Sequence, residues 1–151
     1  MKKRNGFTLV EILIVVVILG ILAAIVIPQF SDASTEAKNS SLSSNLQTVR
    51  SQIELYKIQH NGNLPGAGTA TLTEALTKYT TVAGALAAVQ APATNVYGPY
   101  LQAVPKNPFN DLNVITSGAT NPTTASTTAG WFFNTSTGQF LAVDSVDHLA
   151  Y

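Results

Sequence analysis

The chain has no cysteine among its 151 residues, so neither a disulfide framework nor a thiolate metal site is available, and the redox compartment stays open. It is also poor in charge, with only 11% of residues Asp, Glu, Lys or Arg, eight acidic and eight basic. That balance hides a segregation. Lys2, Lys3 and Arg4 hold three of the eight basic side chains, which leaves five against eight acidic groups in the rest, a net of about −3. A body of that sign excludes nucleic-acid binding by bulk electrostatics. The two histidines, His60 and His148, stand far apart without an acid–nucleophile pattern beside either. No Gly-x-Ser-x-Gly elbow and no phosphate-binding glycine loop occurs, so an enzyme is not expected.

What the sequence does have is a long apolar run. From Phe7 to Ile27 only Thr8, Glu11 and Gly20 interrupt 21 residues. As a helix these span about 30 Å, the thickness of a bilayer core. A cleaved secretory signal would want a shorter apolar core and a small-x-small exit, and Leu22-Ala23-Ala24 is a poor one. A buried core helix fits less well, because nothing later is apolar enough to wrap it. Lys2, Lys3 and Arg4 precede the run and place the N-terminus in the cytoplasm, with everything after Pro28 outside.

Glu11 is costly in this setting. A carboxylate in hydrocarbon costs about 2.5–3.5 kcal/mol near the centre and less toward an end. Two explanations stand. Glu11 sits near the interface and reaches water, or it has a cationic partner. A cut between Gly6 and Phe7 would supply one, since the new amine of Phe7 lies four residues away, in the same subunit or beside a neighbour's Glu11.

A short basic leader ending in Gly6, then Phe7-Thr8-Leu9-Val10-Glu11 and an aliphatic helix, resembles the class III signal of the type IV pilin and type II secretion pseudopilin superfamily. The resemblance implies cleavage between Gly6 and Phe7 by a membrane-embedded prepilin peptidase, N-methylation of Phe7, and pairing of Glu11 with a neighbouring subunit's Phe7 amine during filament assembly. Pro28 falls where such proteins commonly carry a helix-kinking proline. Self-association into a helical filament, an inner-membrane assembly platform and minor pilin-like subunits are the partners it implies.

Beyond Pro28, Leu42, Leu46, Val49, Ile53 and Tyr56 recur at steps of four and three, one apolar stripe on an amphipathic helix. Asn61-Gly62 is its stop. From Phe7 to about His60 the pattern predicts one bent helix of roughly 80 Å. Thr71-Leu72-Thr73-Glu74 has capping-box spacing and predicts a short helix over Leu72–Tyr79. Ala83–Gln90 reads as a further helical turn or two, and Pro92–Pro99 as a loop. Tyr100–Val104 and Leu112–Thr116 read as short strands. Gly130–Asn134 and Gln139–Val143 read as a hairpin closed at Gly138, with Trp131, Phe133 and Phe140 as core residues. Between the strands, residues 116–129 are small and hydroxyl-rich, which predicts a mobile exposed loop. The stretch Tyr56–Pro65 and the Trp131 hairpin also resemble the corresponding regions of pseudopilins.

The expected fold is α+β: a long N-terminal helix, transmembrane in its first half and amphipathic in its second, with a small C-terminal antiparallel sheet packed on it. The organisation is a leader at 1–6, a transmembrane and filament-core helix at 7–30, an amphipathic helix at 31–61 and a head at 62–151. No cofactor is required. Asp144 and Asp147, three apart after the last strand, are weak candidates for the calcium site that major pseudopilins carry in their C-terminal loops, against the plainer reading of two solvated aspartates. The functional expectation is a structural subunit of a type II secretion pseudopilus, a single-pass inner-membrane protein before assembly. The alternative is a type IV pilin of a surface fibre.

Overall fold

The computed structural model describes residues 6–89, 91 and 94–151, so the basic side chains Lys2, Lys3 and Arg4, together with Gln90 and Pro92, lie outside the described residues. Helix α1 runs unbroken over Leu9–Gln59 and passes through Pro28. Pro28 has no N–H to offer the Ala24 carbonyl, a loss that helices crossing a membrane tolerate. The chain divides into two compact units, one up to Lys38 and one over Asn39–Tyr151.

In the first unit the large aliphatic residues from Leu9 to Ile27 are between 47% (Val26) and 80% (Leu9) exposed. An apolar helix uncovered all round belongs in an apolar medium or among other helices.

The second unit begins with the outer part of α1. Leu42, Leu46, Val49, Ile53 and Tyr56 are buried, as their spacing predicts. Across from this stripe stand Leu76, Val104, Trp131, Phe133, Phe140 and Ala142, which form one core with it. The helix stops at Asn61 and Gly62, both at positive φ, with the Gly62 N–H returning to the Lys57 carbonyl at 2.8 Å.

Helix α2 covers Leu72–Thr77 and starts in a capping box between Thr71 and Glu74. It ends two residues earlier than the pattern suggests, because Tyr79–Thr81 is taken as strand β1. The expected helical turns at Ala83–Gln90 are instead a tight turn followed by strand β2 (Leu86–Ala87). Gly84 forces that outcome. It sits at φ +75°, and a Cβ there would lie 3.1 Å from the Cα of Gly68. Strand β3 (Val96–Tyr97) rises inside the expected loop, and the order β2-β1-β3 is antiparallel throughout.

The second sheet holds β4 (Ile115–Gly118), β5 (Trp131–Asn134) and β6 (Phe140–Ala142), in that order. The β5–β6 hairpin is antiparallel, with Trp131 opposite Ala142 and Phe133 opposite Phe140. Strand β4 lies three residues later than expected and joins β5 in parallel, with Ile115 opposite Trp131. A parallel pair needs a long connection, and the hydroxyl-rich segment supplies it. The first part of 116–129 is therefore strand and the rest a tethered crossover, exposed along most of its length. Ser126 N donates to the Val143 carbonyl, Asn121 bonds both Asn134 and Gln139, and Ala129 is fully buried. Tyr100–Val104 forms no strand; the Tyr100 and Leu101 amides both close on the Leu76 carbonyl at 2.9 Å.

Period-two alternation splits the hairpin between two cores. Trp131, Phe133 and Phe140 face the α1 stripe, while Phe132 and Leu141 pack with Ala129, Val143 and Leu149. The Trp131 indole donates to the Pro105 carbonyl at 2.8 Å. From α1, the Arg50 guanidinium donates twice to the Phe140 carbonyl, at 2.8 and 3.0 Å.

His60 is fully buried at the end of the stripe, stacked on Tyr56 with centroids 3.6 Å apart. Its Nδ1 donates to the Tyr56 carbonyl, and its Nε2 accepts from the Thr80 hydroxyl, each at 3.0 Å. Tyr97 and Tyr100 close the surroundings. Burial pushes the imidazole below its usual range, against a partial opposing pull from the Tyr56 carbonyl.

Two outcomes follow. Leu46→Ala should cost the second unit about 2–5 kcal/mol in urea unfolding followed by Trp131 fluorescence, whereas exposed Leu55→Ala should cost little; equal effects would contradict the stripe as core. A depressed imidazole means that the unfolded chain binds the extra proton, so stability should fall as pH drops below the ordinary value of 6.5. In His60→Gln that acid-side decline should flatten, and an unchanged slope would remove His60 as its source.

Candidate functional site

The one acidic residue of the apolar run is built into the start of α1. Thr8 precedes the helix as its N-cap, and Glu11 stands three residues on. Glu11 Oε2 accepts the Thr8 amide at 2.8 Å and the Thr8 hydroxyl at 2.7 Å, while Thr8 Oγ1 accepts the Glu11 amide at 3.2 Å. The first intrahelical bond follows, from Ile12 N to the Thr8 carbonyl at 3.3 Å. This is a capping box, the same device that opens α2 with Thr71 and Glu74. Thr8-Leu9-Val10-Glu11 has the same spacing as Thr71-Leu72-Thr73-Glu74. Among the described residues, Glu11 Oε1 carries no hydrogen bond, so the box satisfies half of the carboxylate and leaves half to accept a further donor.

Phe7 is 83% exposed, and a Cβ placed on Gly6 or Gly20 would meet nothing within 4 Å. Neither glycine has a positive φ. Packing within the chain therefore requires glycine at neither position, although mid-helix Gly20 costs about 1 kcal/mol relative to Ala.

The calcium candidates part company. Asp147 is exposed in the terminal 3₁₀ turn Asp147–Ala150. The Asp144 side chain is only 4% exposed, and both its oxygens face nitrogen donors. Asn107 Nδ2 donates to Oδ1 and His148 Nδ1–H donates to Oδ2, each at 2.6 Å. Asn107 is itself fully buried and fully used: its amide also serves the Gly130 carbonyl at 3.0 Å, and its Oδ1 takes the Phe109 amide at 2.9 Å. Calcium wants six to eight oxygens, and among the described residues no three His, Cys, Asp or Glu side chains converge. Turning Asp144 toward a cation would orphan a buried Asn107 N–H, at about 1–3 kcal/mol. These residues do not fit a calcium site. Sequence reading missed Asn107 and His148, which come together only through the turns at 105–112 and 144–148.

Both ring nitrogens of His60 are engaged inside the core, and Ser145 Oγ accepts the His148 main-chain N–H.

Thr8→Val removes both hydroxyl bonds of the N-terminal box. A cap worth about 1.4 kcal/mol predicts about tenfold faster deuterium exchange at the Glu11 amide in detergent. Thr8→Ser should stay near the parent, and equal exchange in all three would argue against the box.

Comparison with known proteins agrees with these features. Residues 1–27 match the family described as the prokaryotic N-terminal methylation motif. The chain is 29% identical over 125 residues to the type II secretion system core protein G of Klebsiella pneumoniae, covering 78% of this chain and 79% of that one. It is 39% identical to the Pseudomonas aeruginosa protein of the same name over 59 residues, 39% of this chain and 42% of that one. A fimbrial protein of Neisseria meningitidis is 37% identical over 79 residues, 50% of this chain and 46% of that one. No solved structure gives a significant match. The methylation motif, the apolar helix that begins in it and the α+β head make this chain similar to the type IV pilins and type II secretion pseudopilins.

Proposed function

We propose that the chain is a structural subunit of a type II secretion pseudopilus, a helical filament drawn from the inner membrane that helps to export folded proteins. One observation carries the reading: an apolar run, Phe7 to Ile27, uncovered on every side, whose one carboxylate is satisfied at only one oxygen. A membrane anchor alone needs the first feature and is harmed by the second. A filament subunit uses both.

In this reading the basic leader stays cytoplasmic and the head lies outside. A prepilin peptidase cuts between Gly6 and Phe7, and the glycine that packing does not demand is what that enzyme reads. Phe7 is N-methylated, and its amine is the donor for the open Glu11 oxygen of a neighbouring subunit. Pro28 sits at the membrane exit, where a kink would let the helix bend into the bundle. Gly20, with empty space over its Cα, lets a sister helix approach closely. An assembly platform and minor pilin-like subunits complete the machine.

A surface fibre of type IV pilins uses the same first half, and the Neisseria relative supports that alternative. The Klebsiella alignment favours the pseudopilus, because 125 residues extend well past a helix that ends at Gln59.

Deleting the chain in its host should abolish export of folded proteins into the medium and leave surface fibres intact. Loss of fibres with normal secretion would overturn the secretion reading in favour of the pilin. Glu11→Ala should still insert and be cut, yet yield few or no sheared filaments; full filament yield would sink the assembly role of Glu11.

A further inference from the structure

We infer that Asp144 is closed by hydrogen bonds and holds no calcium, so that what it adds to the stability of the head is independent of that ion. The inference concerns the head alone and stands whichever filament the chain builds. Two separate pieces of chain meet at this carboxylate. Asn107 comes from the turn after Pro105, His148 from the terminal 3₁₀ turn, and Asp144 itself follows β6. The Asn107 amide carries the link on to the Gly130 carbonyl beside β5. The His148 ring is held between Phe109, with centroids 4.5 Å apart, and Tyr151 at 5.4 Å. A cation would bring the same two segments together by collecting their oxygens. Here two nitrogen donors do so, and each occupies an oxygen that a cation would need. Asp147, the second acidic residue of the turn, points to solvent and takes no part.

Thermal unfolding of the full chain in detergent tests this, with buried Trp131 as the reporter. About 5 mM calcium chloride exceeds the dissociation constants of weak extracellular sites. Neither that nor excess EGTA should move the midpoint of the parent protein by more than about 1 °C. Asp144→Asn and His148→Ala should each lower the midpoint by about 5–10 °C, with or without calcium. His148→Asn, whose side-chain amide can donate from near the Nδ1 position, should recover part of the loss, which a purely space-filling histidine would not allow. A saturable rise with calcium in the parent that disappears in Asp144→Asn would overturn the inference. So would midpoints that ignore both substitutions. Should Asp144→Asn fail to accumulate, the two His148 variants and the calcium titration of the parent decide alone.

Discussion

One continuous helix has to satisfy two environments, and the remainder of the molecule follows from how it does so. Up to about Ile27 its side chains are apolar on every face, and beyond Asn39 they are apolar on one. The first pattern can be buried only by lipid or by other copies of the same helix. The second is buried by the chain itself, through a sheet whose Trp131, Phe133 and Phe140 fill the space against Leu42, Leu46, Val49 and Ile53. Within one element the sequence thus separates what belongs to the assembly from what belongs to the subunit.

Polar groups are placed with the same economy. Glu11, the costliest residue of the apolar half, caps its own helix before it meets any partner. Arg50, on the half-buried helix, holds the end of β6 by its carbonyl oxygen. Asp144, buried in the head, is answered by an amide and an imidazole rather than by a second charge cluster. In each case a charged group is satisfied mainly by hydrogen bonds of defined geometry.

Much of this was legible beforehand where the signal is periodic and local. The stripe Leu42–Tyr56, the Asn61-Gly62 stop, the Thr71 capping box and the Trp131 hairpin all depend on residues within a few positions of one another. What was not legible depends on distant partners or on backbone conformation. Gly84 turned an expected helix into a turn because Gly68 packs against it from another loop. Strand β4 took a parallel neighbour, which no alternation pattern encodes. Segment 116–129 looked free because its composition is that of a linker, yet Ala129 and Ser126 tie it down. Asn107 and His148, 41 residues apart in the numbering, gave no sign that they share a carboxylate. At the candidate site, Gly6, Phe7 and Glu11 were read from a local motif, while Thr8 was present in that motif and passed over.

The pairing of the α1 stripe with β6 has a consequence for how the subunit is made. Arg50 and the Phe140 carbonyl it holds are separated by 90 residues. Synthesis therefore delivers a finished amphipathic helix long before the strands that cover it. The hairpin β5–β6 can close quickly across its short turn, but docking β4 and reaching back to the helix both require closing much longer loops. Until then Leu42, Leu46 and Ile53 are a sticky surface on a nascent chain, and the interval before the hairpin arrives is when it is most exposed to mispairing. The stretch of this protein most vulnerable in life is thus the one best protected once it is complete.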